Sequence, residues 1–249
     1  VSEIANVAHD QRQPYVGDAA FSHKGGAHID GGMKVARSFE HMNPDLVGAS
    51  RVYILSDQSG GSAIVEKMQK IKPEISKKDP AVVKLLGRVK EMEHQGYQFE
   101  AAEGSFKLLM LRELGMFADQ FKFLGCRVIE ELTDGKLYSE ATVKVEADGK
   151  IEHTAADGNG PISALDNAIR KALGRFFPEL HKVHLVDYKV RVLDGREGTA
   201  AKVRVLITST DGEEYWGTIG VSGNVIEASW IALIDALEYK IAKGKKLIK

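Results

Sequence analysis

Apolar and polar residues alternate along Ala141/Val143/Val145, Val186/Tyr188/Val190/Val192 and Val203/Val205/Ile207, which predicts strands with one buried face. Elsewhere the period changes to three and four. Ile162, Leu165, Ile169 and Leu173 predict one helix, and Val225, Ile226, Ser229, Leu233 and Leu237 predict another. The pattern occurs twice: Asp148-Gly149 is answered by Asp211-Gly212 sixty-three residues later, and Ala164, Ala168 and Ala172 by Ala228, Ala232 and Ala236, each sixty-four later. The difference of one residue falls between strand and helix, where a loop absorbs it. Asp-Gly is a favoured two-residue hairpin turn because both positions accept positive φ. Each copy therefore reads strand, strand, Asp-Gly turn, strand, helix. Small alanines let each helix lie close on its sheet, so two βββα units are expected to pack as one pseudo-symmetric domain over residues 125–249.

The residues before this repeat read differently. Val1–Ala8 resembles the end of a helix, broken by the polar Asp10–Pro14 stretch. Met33–Phe39 predicts a short helix, Arg51–Leu55 an extended segment, and Ala63–Ile71 a further helix. Asp79-Pro80 opens the next one, with aspartate as cap and proline at the first helical position. Its apolar stripe is Val82/Val83, Leu86, Val89 and Met92, and Gly96 stops it. A last helix over Phe99–Leu114 places Ala102, Phe106, Leu109 and Met110 on one face. The expected organisation is a Gly/His-rich segment over 1–29, helical linker subdomains over 30–124 and the duplicated domain over 125–249. The fold class is α+β. Strand and helix nowhere alternate eight times, so no (β/α)₈ (TIM) barrel is encoded in this segment.

Composition narrows the function classes. A net charge of −1 and a pI near 6.8, with scattered charges, give no reason to expect nucleic acid or an anionic membrane as partner. No run reaches the length of a membrane span. Cys126 is the single cysteine, so an internal disulfide is excluded and a reducing, cytoplasmic setting fits. The chain begins with Val1 rather than Met, which points to a fragment of something longer or to a processed chain.

Candidate chemistry concentrates in Tyr15–Gly32, where five glycines and two histidines fall within eighteen residues. Glycines there let backbone approach a ligand or another chain. A phosphate cradle wants Gly-Lys-Ser/Thr leading into a helix, but Lys24 is followed by Gly25. Zinc wants histidines four apart on a helix, whereas His23 and His28 are five apart across two glycines, so no metal site is expected. Two readings stay open: a structural loop with satisfied histidines, or a single acid/base histidine. No Ser/His/Asp set and no carboxylate cluster could carry a reaction unaided.

Several segments together resemble a known family. PYVGDAAFSHKGGAHIDG, LVGASRVYILSDQSGGSAI and EHQGYQFEAAEGSF look like the post-barrel part of the 2-isopropylmalate synthase/citramalate synthase family. SEATVKVEADGKIEHTAADGNGPISALDNAIRKAL and the stretches DYKVRVLDG, RVLITSTDG and WGTIGVSGNVIEASWIALIDALEYK resemble its regulatory dimerisation domain. The segments fall in the family's order and cover essentially the whole chain. The resemblance implies condensation of acetyl-CoA with a 2-oxo acid, followed by thioester hydrolysis. It also implies that the divalent metal and acetyl-CoA are held by an N-terminal barrel outside this sequence, leaving no cofactor here. His28 matches a family histidine that reaches the active site of the partner subunit and helps manage the proton of the acetyl methyl group, a role suited to imidazole. Where some relatives carry a tyrosine nearby, this chain has Phe39.

The resemblance further implies a homodimer inhibited by a branched-chain amino acid, isoleucine or leucine. The residues supply a site of their own. In Asp157-Gly158-Asn159-Gly160-Pro161, glycines allow close approach and Pro161 suits the first helical position, where free N–H groups favour a carboxylate. The effector site is thus expected at Gly158, Asn159, Gly160, Ile162 and Ser163, with Tyr188, Val190 and Ala200 as an apolar wall. A helix entry with nothing bound is the alternative. The second copy, Ser222-Gly223-Asn224-Val225, keeps Gly-Asn but lacks the proline.

Overall fold

A computed structural model describes residues 13–17, 19–23, 28, 31–32, 34–35, 37–53, 60–193 and 201–248. The predicted helix end Val1–Ala8 lies outside them, as does Ala200. The chain forms two compact units, Val1–Glu93 and His94–Lys249.

In the first unit, β1 (Ser22–His23) pairs in parallel with β2 (Val52–Tyr53). A 3-10 turn at Pro44–Val47 is capped by the Asn43 side chain, which accepts from the Asp45 N–H, and Gly48 leaves the turn at φ 68°. Helix α1 spans Gly60–Gln69 and α2 spans Pro80–Gln95. The expected cap is present: Asp79 Oδ1 accepts from the Ala81 N–H at 2.9 Å. On α2 the buried stripe is Val82, Leu85 and Val89, while Val83 is exposed. The expected Leu86 gives way to Leu85: both positions fit steps of three and four between Val82 and Val89, and the side of the helix that is packed puts Leu85 inside and leaves Leu86 half-buried.

The second unit begins with a 3-10 turn at Phe99–Ala101 and α3 (Glu103–Glu113). Two antiparallel sheets follow: β3 (Lys122–Thr133), β4 (Lys136–Ala147) and β5 (Lys150–Gly158), then β6 (His184–Val192), β7 (Val203–Thr210) and β8 (Tyr215–Ser222). Helix α4 (Pro161–Leu173) packs on β4 and β5, and α5 (Val225–Gly244) on β7 and β8. The duplication expected over 125–249 is therefore present as two βββα units. Asp134-Gly135 and Asp148-Gly149 turn their hairpins with both residues at positive φ. At Asp211-Gly212 only the glycine is positive, and Asp211 Oδ1 instead accepts from the Glu213 and Glu214 N–H groups.

All six repeat alanines are essentially buried, together with Leu165, Ile169, Leu173, Leu233 and Leu237 on the helices and Ala141, Val143 and Val145 on β4. One helix lies so close to its sheet that a Cβ at Gly220 would stand 1.9 Å from the Ala228 carbonyl oxygen.

The free edge of β8 is covered by α3. Ser105 Oγ accepts from the Ile219 N–H at 3.0 Å, and a Cβ on Gly104 would come within 2.8 Å of the Gly217 carbonyl. A Cβ on Gly217 would be tighter still, 1.9 Å from the Ala101 carbonyl oxygen. Buried Arg204 ties β7 to the segment before α3, donating to Gly96 O at 2.6 Å and to Gln98 Oε1 at 2.7 Å. Residues 94–113 thus belong structurally with the duplicated sheets, although the sequence groups them with the linker elements of 30–124.

Candidate functional site

Between α4 and the chain entering β6 lies a cleft of about 550 Å³. Its helical wall is Ile162, Ser163, Asp166, Asn167 and Arg170, and Val183, Leu185 and Tyr188 face them. Asp166 Oδ2 accepts from Arg170 Nε at 2.9 Å, and Arg170 Nη1 donates onward to Val183 O at 2.5 Å. Asp166 Oδ1 is buried with no partner. Desolvated carboxylate oxygens normally find a donor, so this one marks a place for an N–H group. The apolar side chains around it favour a branched hydrocarbon.

Tyr188 joins this cleft to the other repeat. Its hydroxyl lies 2.8 Å from Ser229 Oγ, and Ser229 Oγ donates to Val225 O at 2.6 Å, which makes Tyr188 the donor of the pair. The two helix starts also differ. Asn224 caps α5, its side chain accepting from the Ile226 and Glu227 N–H groups, whereas Gly160 gives α4 no side-chain cap. The first N–H groups of α4 are left open, a favourable end for a carboxylate.

Of the expected effector residues, Ile162, Ser163 and Tyr188 line the cleft. Gly158, Asn159 and Gly160 form the entry to α4 beside it. Gly158 lies against the helix, where a Cβ would meet Ala164 N at 2.1 Å, while a Cβ at Gly160 meets open space. Val190 sits further along β6 and is exposed. Asp166, Arg170 and Leu185 are cleft residues that the sequence reading missed. An Asp and an Arg four apart on a helix look like an ordinary surface pair, and nothing local distinguishes this one.

In the first unit the two loop histidines separate by environment. His23 is buried and its Nε2 lies 3.0 Å from Glu40 Oε1. Arg51 grips the same carboxylate with both ends, Nε to Oε1 at 2.5 Å and Nη2 to Oε2 at 2.6 Å. The Arg51 hydrogen bonds outweigh burial and, with His23, hold the Glu40 carboxyl down at about 2. His28 by contrast is exposed and stacks on Phe39. His23 is thus the satisfied structural histidine, whereas the His28 ring is exposed.

Comparison with known proteins gives the class of this duplicated βββα module as an allosteric (dimerisation) domain. Residues 100–241 match the LeuA allosteric (dimerisation) domain, and residues 15–97 the homocitrate synthase post-HMGL domain-like family. The chain belongs to the LeuA allosteric (dimerisation) domain family. It is 49% identical to (R)-citramalate synthase of Geobacter sulfurreducens over 249 residues, covering 99% of this chain and 47% of that protein. It is 50% identical to the Aquifex aeolicus (R)-citramalate synthase over 248 residues, with 99% and 47% covered. A 2-isopropylmalate synthase of Shewanella frigidimarina is 30% identical over 241 residues, with 95% and 43% covered. The chain spans about half the length of the curated relatives it matches.

Proposed function

We propose that this chain is the linker and amino-acid-sensing region of an acyltransferase that condenses acetyl-CoA with pyruvate to citramalate, in isoleucine biosynthesis, with isoleucine as feedback inhibitor. The observation that carries the sensing role is the cleft at Asp166. An α-ammonium group placed on Oδ1 satisfies the orphan oxygen, the α-carboxylate turns to the uncapped start of α4 at Gly160, and a branched side chain lies along Ile162, Leu185 and Tyr188. The identity of 49% to a citramalate synthase against 30% to an isopropylmalate synthase favours the first activity. Divalent metal and acetyl-CoA belong in this reading to a barrel outside the chain, in a cytoplasmic enzyme. Catalysis by this region is then confined to His28, which would take or return the acetyl methyl proton in the partner subunit.

A homodimer through the duplicated domain is part of the proposal. Leu132, Leu137 and Tyr138 on the β3–β4 hairpin and Val190 and Val192 on β6 are exposed apolar residues that a second copy would cover. Sedimentation of the chain at micromolar concentration is expected to show a dimer, and a species of only 27.3 kDa would sink this part.

Calorimetric titration with isoleucine, leucine and valine tests the effector. Isoleucine binding that is lost in Asp166→Asn supports the proposal. Preference for leucine moves the chain to an isopropylmalate synthase. No heat with any of the three leaves a purely structural dimerisation module.

A further inference from the structure

The internal repeat builds the cleft twice. Asp166, Asn167 and Arg170 are answered on α5 by Trp230, Ile231 and Ile234, each sixty-four residues later, and Val183, His184 and Leu185 are answered by Gln120, Phe121 and Lys122, each sixty-three earlier. Both sets of counterparts line a second cleft, of about 690 Å³. Its lining has changed. Where the first cleft has a salt-bridged Asp and Arg, this one has Trp230 packed against Phe123 at a ring-centroid distance of 3.5 Å, with Ile231 and Ile234 beside them.

The acid has moved about two turns along the helix, eight residues beyond the counterpart of Asp166. Glu238 is fully buried (0% exposed), although it lines the cleft. Its Oε1 accepts from the Gln120 N–H at 2.9 Å, and its Oε2 has no partner. The guanidinium that lines the cleft is already taken: Arg112 of α3 donates through Nε to Asp119 Oδ1 at 3.0 Å and through Nη1 to Asp235 Oδ1 at 3.3 Å. A desolvated carboxylate oxygen without a donor is costly, and a cation delivered by a ligand removes that cost.

We propose that this second cleft binds a small organic primary ammonium ion, its N–H groups on Glu238 Oε2 and its apolar body against Trp230, Phe123 and Ile234. The inference stands apart from the proposed effector, which occupies the other cleft. A zwitterionic amino acid is disfavoured here because the walls are acidic: Glu146 at the end of β4 and Asp148 of the β4–β5 turn join Asp119, Asp235 and Glu238, against Arg112 and Lys122 alone. An organic cation is favoured over a metal ion, since no group of three His, Cys, Asp or Glu among the described residues is placed to hold one. An ammonium next to an indole and a phenyl ring gains further from their π faces.

Binding is coupled to a proton. Burial raises the Glu238 carboxyl to about 7, opposed by the Gln120 N–H and Arg112 and reinforced by Asp119 and Asp235. An ammonium ligand needs the ionised form. It therefore binds more tightly above that value than below it, and at neutral pH it expels a proton from Glu238 as it enters.

The test is calorimetric titration of the 249-residue chain with isoamylammonium chloride, and with isovalerate as the same body carrying a carboxylate. Saturable isoamylammonium binding is expected, tighter at pH about 8 than at about 6, with proton release between them. Isovalerate should not bind. Glu238→Gln should weaken the amine roughly tenfold to a hundredfold, as losing a hydrogen bond to a charged group does, while Asp166→Asn leaves it unchanged. The pH comparison uses the unaltered chain, so the test stands even where Glu238→Gln fails to fold. Absent or pH-independent amine binding, equal binding of isovalerate, or loss in Asp166→Asn instead of Glu238→Gln would overturn the inference.

Discussion

The imidazole of His28 lies flat on the phenyl ring of Phe39, centroids 4.3 Å apart and planes 12° from parallel. Gly31 makes room for that ring, since a Cβ there would fall 2.4 Å from Phe39 Cε2. In the proposed role, the proton carrier is therefore oriented by Phe39. His28→Ala in the complete synthase is expected to lower kcat by about 10²–10⁴, the usual contribution of a general acid or base. Its thermal melt should be unchanged, because the side chain is exposed. Phe39→Ala should lower kcat by less, since it removes a support and leaves the imidazole. Steady-state kinetics beside a melting curve check both, and unchanged turnover in His28→Ala would return His28 to a structural loop.

Glu40 is a different kind of residue. Its side chain is 3% exposed and it holds Arg51 and His23 together. Glu40→Ala removes the buried acceptor that Arg51 and His23 share and is expected to cost about 1–3 kcal/mol in urea denaturation, the usual worth of hydrogen bonds to a charged group. Acid acts in the same direction. Because the folded carboxyl titrates at about 2 rather than the ordinary 4.5, its stabilisation is complete above 4.5 and fades as pH falls towards 2. In Glu40→Gln that part of the acid dependence should vanish. A slope equal to that of the unaltered protein would show that the ion pair contributes nothing.

Gly158 and Gly160 are two residues apart and should respond in opposite ways. A Cβ at Gly158 would sit 2.1 Å from Ala164 N, which belongs to backbone and cannot rotate away. Gly158→Ala is expected to destabilise by about 1–3 kcal/mol or more, as overpacking does. Gly160 is extended at φ 174° with open space where a Cβ would stand, so Gly160→Ala should fold normally. Larger side chains at Gly160 should interfere only with the ligand. Thermal melts and isoleucine titration of Gly158→Ala, Gly160→Ala and Gly160→Val separate these effects.

Ser105→Ala strips the Ile219 N–H of its acceptor on a buried strand edge. The expected cost is about 1–3 kcal/mol, that of leaving a buried donor unsatisfied. Hydrogen exchange at Ile219 reads it directly, and unaltered protection would mean that another acceptor takes over.

What could be read in the sequence follows from how local each signal is. The duplication was legible because Asp-Gly turns and alanine stripes repeat in register, and Val143 or Leu165 needs only its own period to declare a buried face. The clefts were not. Asp166 and Arg170 face each other at a spacing common to exposed helices, and only Leu185 and Tyr188, brought from the next repeat, turn them into a lining. Glu238 was equally silent, since its burial depends on Gln120 and Arg112 arriving from far along the chain. Leu86 was preferred to Leu85 on α2 because both are apolar and sequence alone does not set the angle at which a helix meets its neighbour.

The cover that α3 provides for β8 bears on how the regulatory part can be cut free. Beginning a truncated version at Gly125, where the repeat begins, would discard Ser105 and Gly104 and bare a strand running from Tyr215 to Ser222. Its unpaired N–H and C=O groups would then be a template for further strands, and clumping in the test tube is the expected result. The practical boundary for excision is the residue before Tyr97, so that Phe99, α3 and the Gln98 ligand of Arg204 travel with the sheets they protect.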